Sequence, residues 1–434
     1  MIIPLVLFST IGFFAWAVRG MRGYGSIPGA TFAGICYAIV WLFLSRNSPN
    51  GSKEGMHRPY NLGWAVLGIA AGIGVNGMRG WMSFYRWRLG LFSLDAQWDE
   101  ASNIGFPPGM NLVYSLSYWF LIGATWAGTG AVFLAWSGAK KKYIPRDWIL
   151  RIVLGAAGAG VAYLLWLLFP QIFLPNYQTG YYADLNTCYE CRETMGDTRI
   201  ALILFGAYAG FFLFEIIKKD WRNVKLILIV SVVTGFSWML FQWMKIPEIT
   251  GRWKYFEGLA GVGIGIGLGL AYFACNKPVE IQERSERTTL NVEKIIGVEF
   301  ALILGLGWSM TNGITQVIEN YMNKEPYLFL PVLFIPVLGL VLFIWSIIKT
   351  RSNPFKPGDG RDNLKQYNSL FAISYAMVKS IGFILTSTEF LLEEKFSYSA
   401  VLMYSILLLI YVLSTNLEVF LLFFIIHQKS KRFD

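Results

Sequence analysis

Histidine is almost missing from this chain, with two residues, His57 and His427, among 434. That scarcity removes the chemistries built on clustered imidazoles: bis-histidine haem electron transfer, zinc proteolysis and histidine-dependent acyl transfer. Cysteine is nearly as scarce, and four residues are too few for a disulfide scaffold. Cys36 and Cys275 fall inside apolar runs, where a thiol behaves as a small hydrophobe. Charge is the third shortage. Asp, Glu, Lys and Arg supply 15% of the residues, against 55% hydrophobic and 17% aromatic, a balance too apolar for a soluble domain and typical of a polytopic membrane protein. The net charge of +10 sits in short connections interleaved with acids. With no soluble domain to hold a duplex, no nucleic-acid partner is expected, and no cofactor is implied.

What the chain has instead is long apolar runs. Twelve of them lie at approximately 2–18, 27–45, 63–78, 110–136, 148–169, 199–217, 224–244, 256–275, 295–315, 327–348, 369–388 and 398–426. Most reach the roughly 20 residues that cross about 30 Å of hydrocarbon as a helix. The expected fold class is therefore all-α, a single transmembrane domain over 1–434 with twelve spans and short loops. The first and third runs are short and glycine-rich at their ends, which suits broken or tilted helices. The opening MIIPLVLFSTIGFFAWAV carries a small-residue site at Ala15-Trp16-Ala17 but no basic n-region, so it reads as an uncleaved first span.

About two thirds of the 37 Lys and Arg fall in connections that follow even-numbered spans, and basic residues resist translocation, so that side is expected to be cytoplasmic. An even number of spans then puts both termini in the cytoplasm of a cell bounded by a plasma membrane or bacterial inner membrane. The 349–368 connection falls on the cytoplasmic side and the 170–198 loop outside. That outer loop holds Cys188-Tyr-Glu-Cys191, a disulfide candidate in an oxidising compartment or, as the sharper alternative, a redox-active pair. A zinc site there would need two more ligands, and both histidines are on the other side, so no metal is expected.

The remaining basic residues gather in two similar patterns. Val18-Arg19-Gly-Met-Arg22-Gly-Tyr24 closes the first span, and Val75-Asn76-Gly-Met-Arg79-Gly-Trp81 closes the third. The two segments differ only at Arg19/Asn76 and Tyr24/Trp81, which points to duplicated helix pairs in parallel orientation. Glycine beside arginine allows close backbone approach, and guanidinium offers a planar fork of donors to carboxylate, phosphate or sulfate. The second copy continues to Arg88, and a helix there would place Trp81, Tyr85 and Arg88 on one face, suited to a sugar or an aromatic anion. Trp253 and Glu257 repeat the mixture of ring and charge before the eighth span. Interfacial anchoring by Trp and Arg is the plainer reading of the same residues.

Three charges lie within spans: Glu299, Lys379 and Glu418. Each costs at least about 2.5–3.5 kcal/mol on insertion scales and needs a partner. Lys379 and Glu418 lie at matching depths, which makes them a candidate buried pair or coupling group. Glu215, by contrast, is followed by Lys218 and Lys219 at helical spacing, an ordinary interfacial arrangement. In the eighth span Gly261, Gly265 and Gly269 form one small-residue face and Gly263 and Gly267 another, which suits tight packing against two neighbours. Asp95 and Asp99 are the weak candidates for a general base in the long outer connection.

These features favour a transporter or permease for a small anionic or sugar-like solute, with Arg19, Arg22, Asn76, Arg79, Trp81, Arg88, Trp253 and Glu257 as binding residues. The competing expectations are an outward-facing transferase using a lipid-phosphate-linked donor, and a noncatalytic membrane subunit. Membrane lipids and the solute are the expected partners, and the fold is compatible with a homo-oligomer.

The charge distribution makes a direct topological prediction. A reporter fused to the C-terminus is expected in the cytoplasm, and single cysteines placed in 174–197 should react with an impermeant thiol reagent from outside. External labelling of the 277–294 connection would reverse the assignment.

Overall fold

The structure, a computed structural model, describes residues 2–19, 26–47, 56–61, 63–76, 81–89, 110–138, 143–183, 185, 188–244 and 253–280, with isolated positions at 337, 341 and 409. Its helices in chain order are α1 (Ile2–Arg19), α2 (Ser26–Asn47), α3 (Gly63–Val75), α4 (Trp81–Leu89), α5 (Met110–Ser137), α6 (Pro145–Leu168), α7 (Pro170–Phe173), α8 (Tyr189–Ile217), α9 (Trp221–Trp243) and α10 (Trp253–Cys275). The first eight apolar runs fall on α1, α2, α3, α5, α6, α8, α9 and α10. The last four runs and the 349–368 connection lie, apart from the isolated positions, outside the described residues.

Helix is the form an apolar chain takes in lipid, because each segment then satisfies its own backbone donors and acceptors. Six helices, α2, α5, α6, α8, α9 and α10, are long and apolar enough to cross a membrane, which makes this an integral membrane protein. The two runs that looked short are short. The 13 residues of α3 reach only about 20 Å at about 1.5 Å per residue.

Six helices close a ring in the order α1, α2, α3, α5, α9, α10 and back to α1. Every neighbour in it is antiparallel. Gly34 of α2 lies against Ala70 of α3, and Gly74 against Thr31; Gly72 of α3 meets Gly130 of α5, and Gly68 meets Phe133; Gly128 of α5 meets Ser231 of α9, and Gly235 meets Phe120. The ring is thus three helical hairpins, α1/α2, α3/α5 and α9/α10, side by side. A fourth hairpin, α6/α8, packs outside the ring against α5 and α9. Ile149, Ile152, Val153, Val161, Leu164 and Leu168 of α6 are exposed, as suits side chains that meet lipid hydrocarbon.

Alternation gathers the C-termini of α1, α3 and α9 with the N-termini of α2, α5 and α10, and we call this the Arg19 end. At the opposite, Arg58 end a two-residue antiparallel ladder pairs β1 (Met56–His57) with β2 (Val279–Glu280). It ties the α2–α3 connection to the chain leaving α10. The α8–α9 turn is equally tight, with Lys219 in the left-handed region at φ 54° and the Asp220 side chain accepting from the Asn223 N–H to cap α9.

The glycine stripes of α10 are packing faces. Gly261 lies so close to α1 that an added Cβ would sit 2.1 Å from the Gly12 carbonyl oxygen, and one at Gly265 would sit 2.4 Å from that of Phe8. On the second face, a Cβ at Gly263 would meet Ser237 Cβ at 2.7 Å, so α9 takes that side. Two backbones at this separation gain dispersion contacts along their length that larger residues forbid.

Gly261→Ala is therefore expected to lower detergent thermal stability by about 1–3 kcal/mol, the usual cost of overpacking. Gly160→Ala on α6, where an added Cβ meets nothing within 4 Å, is the matched control and should leave the unfolding temperature unchanged or raised. Equal behaviour of the two variants would show that the α1–α10 contact is looser than described.

Candidate functional site

The exit ends of α1 and α3 meet the middle of α5 around one indole. Trp126 stands in mutual edge-to-face contact with Trp16 of α1 and Trp238 of α9, at ring separations of 5.2 Å and 5.8 Å, and Trp16 lies 5.9 Å from Trp238. Trp119, two turns nearer the Arg19 end of α5, extends the cluster to Phe256 at 4.9 Å. Packing of this kind adds about 0.5–1.5 kcal/mol per pair beyond simple burial. Two of the three central indoles also donate to main chain: Trp126 to the Ile73 carbonyl at 2.8 Å and Trp238 to that of Ala260 at 2.9 Å.

On this aromatic floor sits an ion pair. Arg19, the last residue of α1, donates from Nη1 to both carboxylate oxygens of Glu257 at 3.0 Å. Its guanidinium lies 4.8 Å from the Trp126 ring centre and 5.6 Å from that of Trp16. The side chains are only 8% and 4% exposed. Desolvation makes a charge at such a site untenable alone, so each partner holds the other in place, and the rings add attraction to the cation. The pair bridges the end of α1 to the second turn of α10.

Asn76 occupies in α3 the position that Arg19 occupies in α1. It too turns towards α5, donating from Nδ2 to the Thr125 carbonyl at 2.9 Å and to Thr129 Oγ1 at 3.0 Å. The two sequence copies thus end on the same stretch of α5, one above Trp126 and one beside it. α4 docks against α5 and α8. Ser83, Phe84 and Trp87 are the buried residues; Phe84 stacks on Tyr118 at 4.6 Å and Ser83 donates to Asp197 Oδ2 at 2.8 Å. Tyr85 and Arg88 are half-buried to the side of that contact. Three aromatic residues of α4 and α5, Phe84, Trp87 and Tyr118, therefore pack on each other.

The opposite end carries a longer network. Asn276 donates to Ser45 Oγ at 2.8 Å and accepts from the Tyr60 N–H at 3.2 Å, while its carbonyl accepts from Arg58. Tyr60 receives the Trp41 indole N–H on its carbonyl at 3.0 Å and donates its hydroxyl to Asn223 Oδ1 at 2.7 Å. Asn223 passes on to Glu215 at 2.9 Å. Glu215 also accepts from Arg151 at 2.8 Å and Tyr143 at 3.2 Å. Burial pushes the phenols of Tyr60 and Tyr143 well above their usual range, so both remain donors. Arg151 is fully buried, with Trp136, Tyr143, Trp148 and Phe214 ring centres 4.3–4.7 Å from its guanidinium carbon. The expected interfacial pairing of Glu215 with Lys218 is thereby corrected: Lys218 reaches Asp147 instead, because Glu215 points into the α6/α8 contact.

Arg19, Asn76 and Glu257 are thus brought to one end of the ring, although nothing in the sequence joined Arg19 to Glu257. Trp81 and Trp253 begin α4 and α10, and their side chains lie outside the described residues. So do Arg22, Arg79, Asp95, Asp99, Glu299, Lys379 and Glu418. Cys188 and Cys191 form a disulfide across the first turn of α8, both buried. The residues that sequence reasoning passed over are Trp119, Trp126, Trp238 and Gln242 at the Arg19 end and Arg151 at the other. A signal existed for Gln242, an amide inside an apolar run, and for Arg151, a basic residue inside the 148–169 run. No family model, no curated protein and no solved structure matches the chain.

If the Arg19–Glu257 pair is coupled as its geometry requires, Arg19→Met and Glu257→Gln should each cost about 3–5 kcal/mol by stranding a buried charge. The double variant should regain most of that loss in detergent unfolding. Simple addition of the two single losses would mean that the groups do not interact.

Proposed function

We propose that this protein is a multi-pass transporter or permease that binds a small polar solute at the Arg19 end of the six-helix ring. The observation that carries the reading is the buried Arg19–Glu257 pair resting on Trp16 and Trp126. A membrane protein that needed only to hold α1 against α10 has the glycine contact for that purpose. Charge among apolar spans is expensive and marks solute or ion pathways by default. Indole walls with a few convergent polar groups are also what a small-molecule site requires. Buried hydroxyl side chains lie along the same helices, Thr125 and Thr129 on α5 and Thr234 on α9.

The transferase alternative rested on Asp95 and Asp99, and no feature of the described residues favours it. In the orientation expected from the basic residues, the Arg19 end faces outward, so solute would enter from outside.

Uptake into proteoliposomes tests the reading. Wild-type protein should accumulate at least one radiolabelled solute from a panel of glucose, myo-inositol, sulfate, phosphate and succinate. The Arg19→Met/Glu257→Gln double variant should retain its fold and lose at least about tenfold in rate, since tenfold corresponds to about 1.4 kcal/mol and a contact to a charged group is worth about that or more. Undiminished uptake by the double variant would make the pair a staple, and no uptake of any solute by well-folded wild type would remove the transport reading.

A further inference from the structure

The outward face of α9 carries an indole at each end. Trp221 and Trp243 are 63% and 61% exposed, and the exposed side chains between them are Lys225, Leu228, Val232, Phe236 and Leu240. At about 1.5 Å per residue the two indoles stand about 33 Å apart, which matches roughly 30 Å of hydrocarbon with a tryptophan at each interface. This face therefore meets lipid. Lys225 is the one charge on it, a helical turn inside Trp221. A lysine so placed lays its stem along apolar surface and lifts its ammonium to the headgroups. A basic residue that served only to fix topology could sit in the connection, as Lys219 does, rather than within the apolar stripe.

The neighbouring helix brings a second lysine to the same place. Gly263 of α10 faces Ser237 of α9, and Gly267 faces Val230 and Thr234, so Cys275, two turns further on, comes level with the first turns of α9. The charges of Lys225, Arg222 and Lys277 accordingly all bear on the Cys275 sulfur. Lys277, just past α10, is exposed beside the exposed Phe273, its ammonium 5.8 Å from that ring centre. Arg222 turns inward instead, donating to the Gly138 carbonyl at 3.0 Å. The acids whose side chains are described at this end are engaged elsewhere: Asp147 takes Lys218, Glu215 takes Arg151, and Asp220 caps α9. No described carboxylate pairs with Lys225 or Lys277.

We propose that the α9/α10 seam at the Arg58 end binds an anionic phospholipid, with Lys225 and Lys277 holding its phosphate. Trp221 and Phe273 flank the glycerol, and Leu228 meets the acyl chains. A zwitterionic lipid brings an ammonium of its own, which two lysines repel, whereas a phosphatidylglycerol headgroup carries net negative charge and no cation. The basic residues put this end in the cytoplasm, and basic pockets between helices on that side suit anionic headgroups. The proposal is independent of what, if anything, crosses the membrane.

The test uses full-length protein in a non-ionic detergent, titrated with phosphatidylglycerol or phosphatidylcholine of the same chains and weighed intact by native mass spectrometry. The first phosphatidylglycerol should bind at least about tenfold more tightly than the first phosphatidylcholine, twice the factor of about five that one basic residue supplies at an anionic headgroup. Lys225→Gln and Lys277→Gln should each weaken phosphatidylglycerol about fivefold and the double variant about 25-fold, at about 1 kcal/mol per lysine. Arg146→Gln removes the same charge from an exposed site on α6 at the same end and should change nothing. Phosphatidylglycerol brominated near the glycerol should also quench tryptophan emission more than brominated phosphatidylcholine, and Trp221→Phe should remove the excess. Equal affinity for the two lipids, unchanged affinity in the lysine double variant, or equal weakening by Arg146→Gln overturns the site. Excess quenching that survives Trp221→Phe places the lipid elsewhere and overturns it too. Displacement of the lipid by inorganic phosphate at equal concentration would make the lysines an ion site instead. None of these outcomes bears on uptake, so this proposal and the transport reading fail separately.

Discussion

The close contact between α1 and α10 sets the geometry on which the rest of the ring depends. α1 joins the chain's beginning to a helix some 240 residues later, and only that contact closes three hairpins into a circle. Its cause is simple sterics. Gly12 and Gly261 present their backbones to each other at a separation where a single added carbon would overlap a carbonyl oxygen. Tyr37 of α2 reinforces the seam by donating to the Gly261 carbonyl at 2.7 Å, so a third helix is locked to the same point. With the two axes held this near, the end of α1 and the second turn of α10 come together. Arg19 then reaches Glu257, and Trp16 is carried inward to meet Trp126 and Trp238.

The two ends of the ring solve the same problem in different ways. Around Tyr60 and Glu215, polar groups from α2, α6, α8, α9 and the segment after α10 are joined in one chain of hydrogen bonds, and the arginine within it is enclosed by four rings. Groups linked in this way hold one another, because a member that moved would abandon a partner in a medium of low dielectric. At the Arg19 end a single ion pair rests on indole rings instead, and it joins the end of α1 to the start of α10 across the closing seam of the ring.

The membrane class and the first eight helices were legible because hydrophobic length is a property of consecutive residues. Local spacing also revealed the two small-residue faces of α10 and the short reach of α1 and α3. What sequence reading missed depended on which helices become neighbours. Arg19 and Glu257 were both singled out, for separate reasons, but their pairing exists only because α10 returns to α1. Glu215 shows the opposite failure. A lysine three residues on offered a sufficient local partner, and the real one, Arg151, came from another helix. Trp126 and Trp238 were indistinguishable from the chain's other tryptophans until the ring placed them face to edge.

The repeated glycine-arginine pattern gains its sharpest meaning from the one position where its copies differ within the described residues. Arg19 and Asn76 end parallel helices of adjacent hairpins, and both turn to the same stretch of α5. A second arginine at 76 would need a second buried carboxylate there, and the described contacts of Asn76 are to a carbonyl and a hydroxyl, neither of which could neutralise it. An asparagine bonds those two groups with its amide nitrogen and still presents an oxygen. The difference puts a charge that binds a partner helix at one helix end and a neutral amide that binds α5 at the other. The two ends are therefore not equivalent: one ties α1 to α10, and the other ties the end of α3 to α5.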